Sequence, residues 1–112
     1  MNIQTIGVVG SGQMGRGIAQ VAAFSGFDVV MYDLSKESLD FGMDFIKNQL
    51  VRGVKKEKWD QAKADETFGK IQPSSKIESM AKCDLIIEAA TENKNIKFKI
   101  FEDLDAVAKP EA

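Results

Sequence analysis

Gly10, Gly12 and Gly15 follow directly on the apolar run Thr5-Ile6-Gly7-Val8-Val9, and no other feature of the chain narrows its fold so far. A short β-branched run ended by glycine reads as a buried strand. Beyond the glycines, Ile18, Val21, Ala22 and Phe24, closed by Ser25-Gly26, read as an apolar-striped helix. Asp28-Val29-Val30-Met31-Tyr32 is apolar on both faces, as a strand covered from both sides in a parallel sheet must be, and it ends at Asp33. Strand, tight turn, helix and strand make a βαβ unit.

The alternation continues. Ser35 is a helix cap by type, and Leu39, Met43, Ile46 and Leu50 recur at helical spacing until Arg52-Gly53 closes the helix. The charged stretch from Lys55 to Glu66, with Trp59 inside it, is longer than a simple crossover requires. It predicts a second helical piece projecting from the sheet, of the kind that holds a ligand. A third strand is expected around Gly69 to Pro73, a turn at Pro73-Ser74-Ser75 and a short helix from Lys76 to Lys82. Leu85 to Ala90 reads as a fourth buried strand, and Ile96, Ile100, Leu104 and Val107 stripe a final helix that dissolves at Lys109-Pro110. The expected fold is α/β, a Rossmann-type doubly wound parallel sheet of about four strands in the order 3-2-1-4, with a helical insertion between strands 2 and 3. Residues 1–112 form one domain on this reading.

Each glycine has a distinct use if a dinucleotide is bound. Gly10 permits the tight turn, Gly12 lacks the Cβ that would collide with a pyrophosphate, and Gly15 lets the helix pack closely. Backbone N–H groups at the helix start, with the positive end of its dipole behind them, then face the phosphates. No Lys-Ser/Thr pair follows the turn, which argues against a nucleoside-triphosphate loop. Three glycines could equally make a bare turn. What favours the dinucleotide is Asp33, 23 positions past Gly10 at the end of the second strand. Its carboxylate can accept from ribose hydroxyls but would repel a 2′-phosphate, and Leu34 offers no compensating arginine, so NAD is expected over NADP.

The 15 basic and 17 acidic side chains leave a formal charge of −2, which gives no reason to expect nucleic acid or an acidic membrane as partner. Apolar runs fall far short of the ~20 residues that span a bilayer, and Met1-Asn2-Ile3-Gln4 lacks a basic secretory start, so a cytoplasmic location is expected. The single Cys83 cannot form an internal disulfide and is expected to be plain packing. The chain has no histidine, so a mechanism built on a histidine base cannot be completed within it.

Three stretches, "GVVGSGQMGRGIAQVAAFSGFDVVMYD", "DFIKNQLVRGVKK" and "CDLIIEAATENKNIKFKIFEDLD", together resemble the 3-hydroxyacyl-CoA dehydrogenase family, most closely its bacterial 3-hydroxybutyryl-CoA branch. The resemblance spans essentially the whole chain. The first stretch is shared by many NAD enzymes; the third is far more specific. The resemblance implies that Gly10, Ser11, Gly12, Gln13, Met14 and Gly15 hold the pyrophosphate, Asp33 the ribose, and Glu92 and Lys97 the nicotinamide half of NAD. It implies that Arg52 and Lys56 meet the coenzyme A part of a 3-hydroxyacyl-CoA or 3-oxoacyl-CoA substrate. Read without it, Arg52 to Lys56 is a basic helix end complementing its own dipole. The family's reaction passes a hydride between C3 of the acyl chain and the nicotinamide, with a histidine base oriented by a glutamate. Those residues fall after the point matching Ala112, as does the helical domain that closes over substrate and makes the dimer. The expectation is therefore an NAD-binding portion without catalytic residues, belonging to an enzyme that is homo-oligomeric at full length. A free-standing NAD-sensing regulatory module is the alternative. It is disfavoured because no basic DNA-binding helix is evident and the Lys55 to Glu66 insertion has no use in a sensor.

Overall fold

The computed structural model describes residues 3–89. Four strands, β1 (Thr5–Val9), β2 (Asp28–Tyr32), β3 (Ile71–Ser74) and β4 (Leu85–Glu88), form one sheet in the order β3-β2-β1-β4. Every pairing is parallel: Val9 lies opposite Tyr32 on one side and Glu88 on the other, and Met31 opposite Pro73. This is the expected doubly wound order. β1 and β2 are inner strands, and all their residues beyond the first are buried, which is why neither shows an apolar-polar alternation. Pro73, which cannot donate to a ladder, sits on β3, with no further strand outside it among the described residues.

Side chains alternate across the sheet and so separate two cores. On one face Ile6, Val8, Val29 and Met31 meet three helices, α1 (Gln13–Phe24), α2 (Lys36–Lys55) and α3 (Gln61–Gly69). On the other, Val9, Val30 and Tyr32 meet Met80 and Cys83 from a 3-10 turn over Ile77–Lys82 and the residue after it. Cys83 forms no disulfide and is fully buried within this second core. The expected short helix over Lys76 to Lys82 takes this tighter form, the usual one for so brief a segment.

Leu39, Ile46 and Leu50 form the buried stripe of α2, with Met43 packed beside them. Ser35 caps that helix by accepting from the Ser38 N–H at 3.2 Å. Three expectations are corrected. Arg52-Gly53 does not close α2, which runs on to Lys55. Gly53 is there instead because any Cβ would fall inside the Trp59 indole. The insertion does not project from the sheet: the Trp59 ring stands 5.3 Å from Phe24 of α1, its Nε1 donates to the Leu50 carbonyl at 2.9 Å, and Lys63 lies over Phe24 at 4.6 Å. Val21 is not part of the buried face of α1, being 68% exposed; Gly15, Ala19 and Ala23 supply that face. The small residues let the helix lie close to the strands, with Ile18 packed at the margin of that core while Val21 and Met14 face outward. The final helix and Ala90 lie outside the described residues, as do Glu92 and Lys97.

Candidate nucleotide site

The carboxyl ends of β1 and β2 deliver Gly10 and Asp33 side by side, at the edge where doubly wound sheets take ligands. Gly10 turns the chain with φ +109°, a conformation that L side chains rarely adopt, and its N–H donates to the Tyr32 carbonyl at 2.6 Å. Gly15 is packed so tightly on the Gly10 carbonyl that a Cβ would lie far inside contact distance. The glycine thus seats the helix on the turn itself.

Gly12 is different. It caps α1 in extended conformation (φ −70°, ψ −168°), and a Cβ built on it meets nothing within 4 Å. No side chain caps the helix, and its first turn carries no acidic residue. The first intrahelical bond runs from the Arg16 N–H to the Gly12 carbonyl at 2.9 Å, so the donors before it have no acceptor within the helix. Exposed Gly12, Gln13 and Met14 therefore offer N–H groups and the positive end of a helix dipole to open space. An anionic group of pyrophosphate type fits that cradle, and a side chain at Gly12 would fill it.

Ser11 stands apart from its neighbours. It is 1% exposed and turned inward, its N–H and Oγ both donating to Asp33 Oδ2, at 2.9 and 2.8 Å. The other carboxylate oxygen of Asp33, Oδ1, accepts from the Ser35 N–H at 2.9 Å. Nothing in the residue order advertised this link between positions 11 and 33. Gly42 could have been noticed as a glycine inside an otherwise well-formed helical pattern. A Cβ there would approach the Ser11 carbonyl to 3.0 Å, so α2 leans directly on the glycine turn. Arg16, one turn into α1, was also missed: its guanidinium stacks on Phe45 at 4.2 Å and Phe41 at 5.2 Å. Its buried Nε has no hydrogen-bond partner among the described residues.

The structure does not bring Arg52 and Lys56 into this cluster. Both are exposed at the far end of α2, where the Lys56 N–H donates to the Arg52 carbonyl at 2.9 Å. At about 1.5 Å per residue, Arg52 lies roughly 24 Å along the helix from Lys36, which follows the Asp33 turn. Among the described residues no group of three His, Cys, Asp or Glu side chains could hold a metal ion, and no helix is long and apolar enough to cross a membrane.

Residues 5–112 match the family model described as "3-hydroxyacyl-CoA dehydrogenase, NAD binding domain". A 3-hydroxybutyryl-CoA dehydrogenase of Bradyrhizobium diazoefficiens is 46% identical over 110 residues, covering 98% of this chain and 38% of that protein. A probable 3-hydroxybutyryl-CoA dehydrogenase of Deinococcus radiodurans is 47% identical over 106 residues, covering 94% of this chain and 37% of the relative. The crystal structure of (S)-3-hydroxybutyryl-CoA dehydrogenase from Ralstonia eutropha superposes with a TM-score of 0.93 at 37% identity, over 98% of this chain and 39% of that one. The chain thus spans less than two-fifths of the length of each of these three relatives, all dehydrogenases by name, and nothing among them favours the sensor reading. The glycine turn, the acidic residue closing β2 and these matches together place the chain in the 3-hydroxyacyl-CoA dehydrogenase family, as its NAD-binding domain.

Proposed function

We propose that the turn from Gly10 to Gly15 holds the pyrophosphate of NAD and that Asp33 receives the adenosine ribose, so that the chain presents the nicotinamide to a 3-hydroxyacyl-CoA substrate. The open space at Gly12, beside uncapped N–H groups and a carboxylate one strand away, carries this reading. Bound NAD supplies the hydride acceptor. The chain's own residues bind and orient it: Gly10 shapes the turn, Gly15 seats the helix, and the helix start offers donors to the phosphates. Glu92 and Lys97 are assigned to the nicotinamide half and Arg52 with Lys56 to the coenzyme A moiety, on family resemblance. In the whole enzyme the reaction would be hydride transfer between C3 of the acyl chain and NAD, completed by residues that this chain does not contain. A homo-oligomeric, cytoplasmic enzyme acting on a 3-hydroxyacyl-CoA or 3-oxoacyl-CoA is the setting that this reading implies.

Calorimetric titration with NAD and NADP tests the site. Wild type should prefer NAD by tenfold or more, the order expected when a fixed carboxylate meets a 2′-phosphate. Asp33→Ala should bring the two affinities together. Equal affinity in the wild type would remove the ribose role given to Asp33.

A further inference from the structure

Ser11 has one of the few buried polar side chains in the described part of the chain, and its hydroxyl is spent entirely on Asp33. A buried hydroxyl must find a partner, yet a neighbouring carbonyl would have served as well as a carboxylate. What the choice of Asp33 achieves follows from counting acceptor sites. A carboxylate has about four lone-pair positions. Ser11 N–H and Oγ take both on Oδ2, and the Ser35 N–H takes one on Oδ1, which leaves one position, on Oδ1, among the described residues. Three donors from two separate segments also fix both torsions of the side chain. α2 leaves the loop little room to retreat, since it lies so close at Gly42 that an added Cβ would come within 3.0 Å of the Ser11 carbonyl and 3.4 Å of its Cβ.

We infer that Ser11 is a positioning residue for cofactor selectivity: its hydroxyl holds the Asp33 carboxylate where a 2′-phosphate cannot avoid it. This rests on the assignment of the ribose to Asp33. A ribose hydroxyl donates into the one free position and is served by a fixed acceptor. A 2′-phosphate brings negative charge and only acceptors, so it needs the carboxylate to swing aside. A latched side chain refuses that motion, whereas a free one can rotate toward solvent and shed most of the repulsion. Selectivity of this kind comes from penalising the wrong ligand rather than from added attraction to the right one.

The test is the ratio of NADP to NAD dissociation constants, measured by calorimetry on the 112-residue chain as wild type, Ser11→Ala, Ser11→Gly and Asp33→Ala. Both Ser11 variants should weaken NAD modestly and lower the ratio about tenfold, the worth of one hydrogen bond to a charged group. General damage to the fold would weaken both cofactors alike and leave the ratio where it was, and thermal unfolding of each variant reports such damage separately. A ratio within twofold of wild type in both Ser11 variants, with Asp33→Ala still bringing the affinities together, would overturn the role of Ser11 and leave Asp33 in place. A wild-type ratio near one would instead overturn the ribose assignment, and the inference with it.

Discussion

Replacing Gly12 by serine should make the protein more stable and a much weaker binder of NAD. Gly12 has the extended backbone of a helix cap, which any residue adopts, and a Cβ there touches nothing within 4 Å. Loss of glycine's freedom in the unfolded chain contributes roughly 0.4–1 kcal/mol in favour of the variant. Serine is also the better cap, by a few tenths of a kcal/mol, since its hydroxyl can accept from an N–H in the first helical turn. A net gain of about 0.5–1 kcal/mol corresponds to a rise of about 2–6 °C in the unfolding midpoint of a domain this size. Binding moves the other way. Forcing a Cβ and hydroxyl against a bound phosphate costs on the order of 1–3 kcal/mol, and the serine oxygen competes for the donors that the phosphate needs. Together these predict a loss of about a hundredfold in NAD affinity, equivalent to about 2.7 kcal/mol. Scanning calorimetry reads the first quantity and isothermal titration the second. NAD affinity within threefold of wild type would show that no phosphate lies against Gly12. A midpoint lowered by more than about 5 °C would show that the space beside it is not free.

Gly53→Ala should act in reverse, destabilising by about 2–3 kcal/mol in urea titration, because its methyl enters the Trp59 indole and parts α2 from α3, while the folded fraction binds NAD normally. The pair Arg52→Ala and Lys56→Ala should leave NAD affinity within about twofold of wild type, given the roughly 24 Å of helix between them and the Asp33 turn, and weaken coenzyme A binding at least about fivefold. Purified chain should not reduce acetoacetyl-CoA with NADH, followed by NADH absorbance. It has no histidine, and a positioned base typically supplies ~10²- to 10⁴-fold of such a rate. Turnover at an ordinary enzymatic rate that survives repurification would place the catalytic apparatus within these residues.

Local pattern alone settled the order of elements and the turn, because each of those features depends on near neighbours. Gly10 must take a positive φ wherever such a strand meets such a helix, and β1 and β2 read as buried strands since both their faces are apolar. The strand order followed as well, since right-handed crossovers leave a doubly wound sheet few alternatives. The tertiary structure decided what depends on separate segments meeting. Lys55 to Glu66 looked like a projecting arm because charge dominates it. Whether it projects or packs was settled largely by one side chain, the Trp59 ring, which fills the notch that Gly53 leaves and rests on Phe24. Val21 and Ala19 trade places at the sheet because close approach selects the smaller residue, which periodicity does not weigh. Ser11 was legible as part of the glycine turn, yet the direction of its side chain was not. That direction depends on β2 delivering Asp33 beside the turn and on α2 bearing down at Gly42, contacts across 22 and 31 positions of chain that no local pattern records.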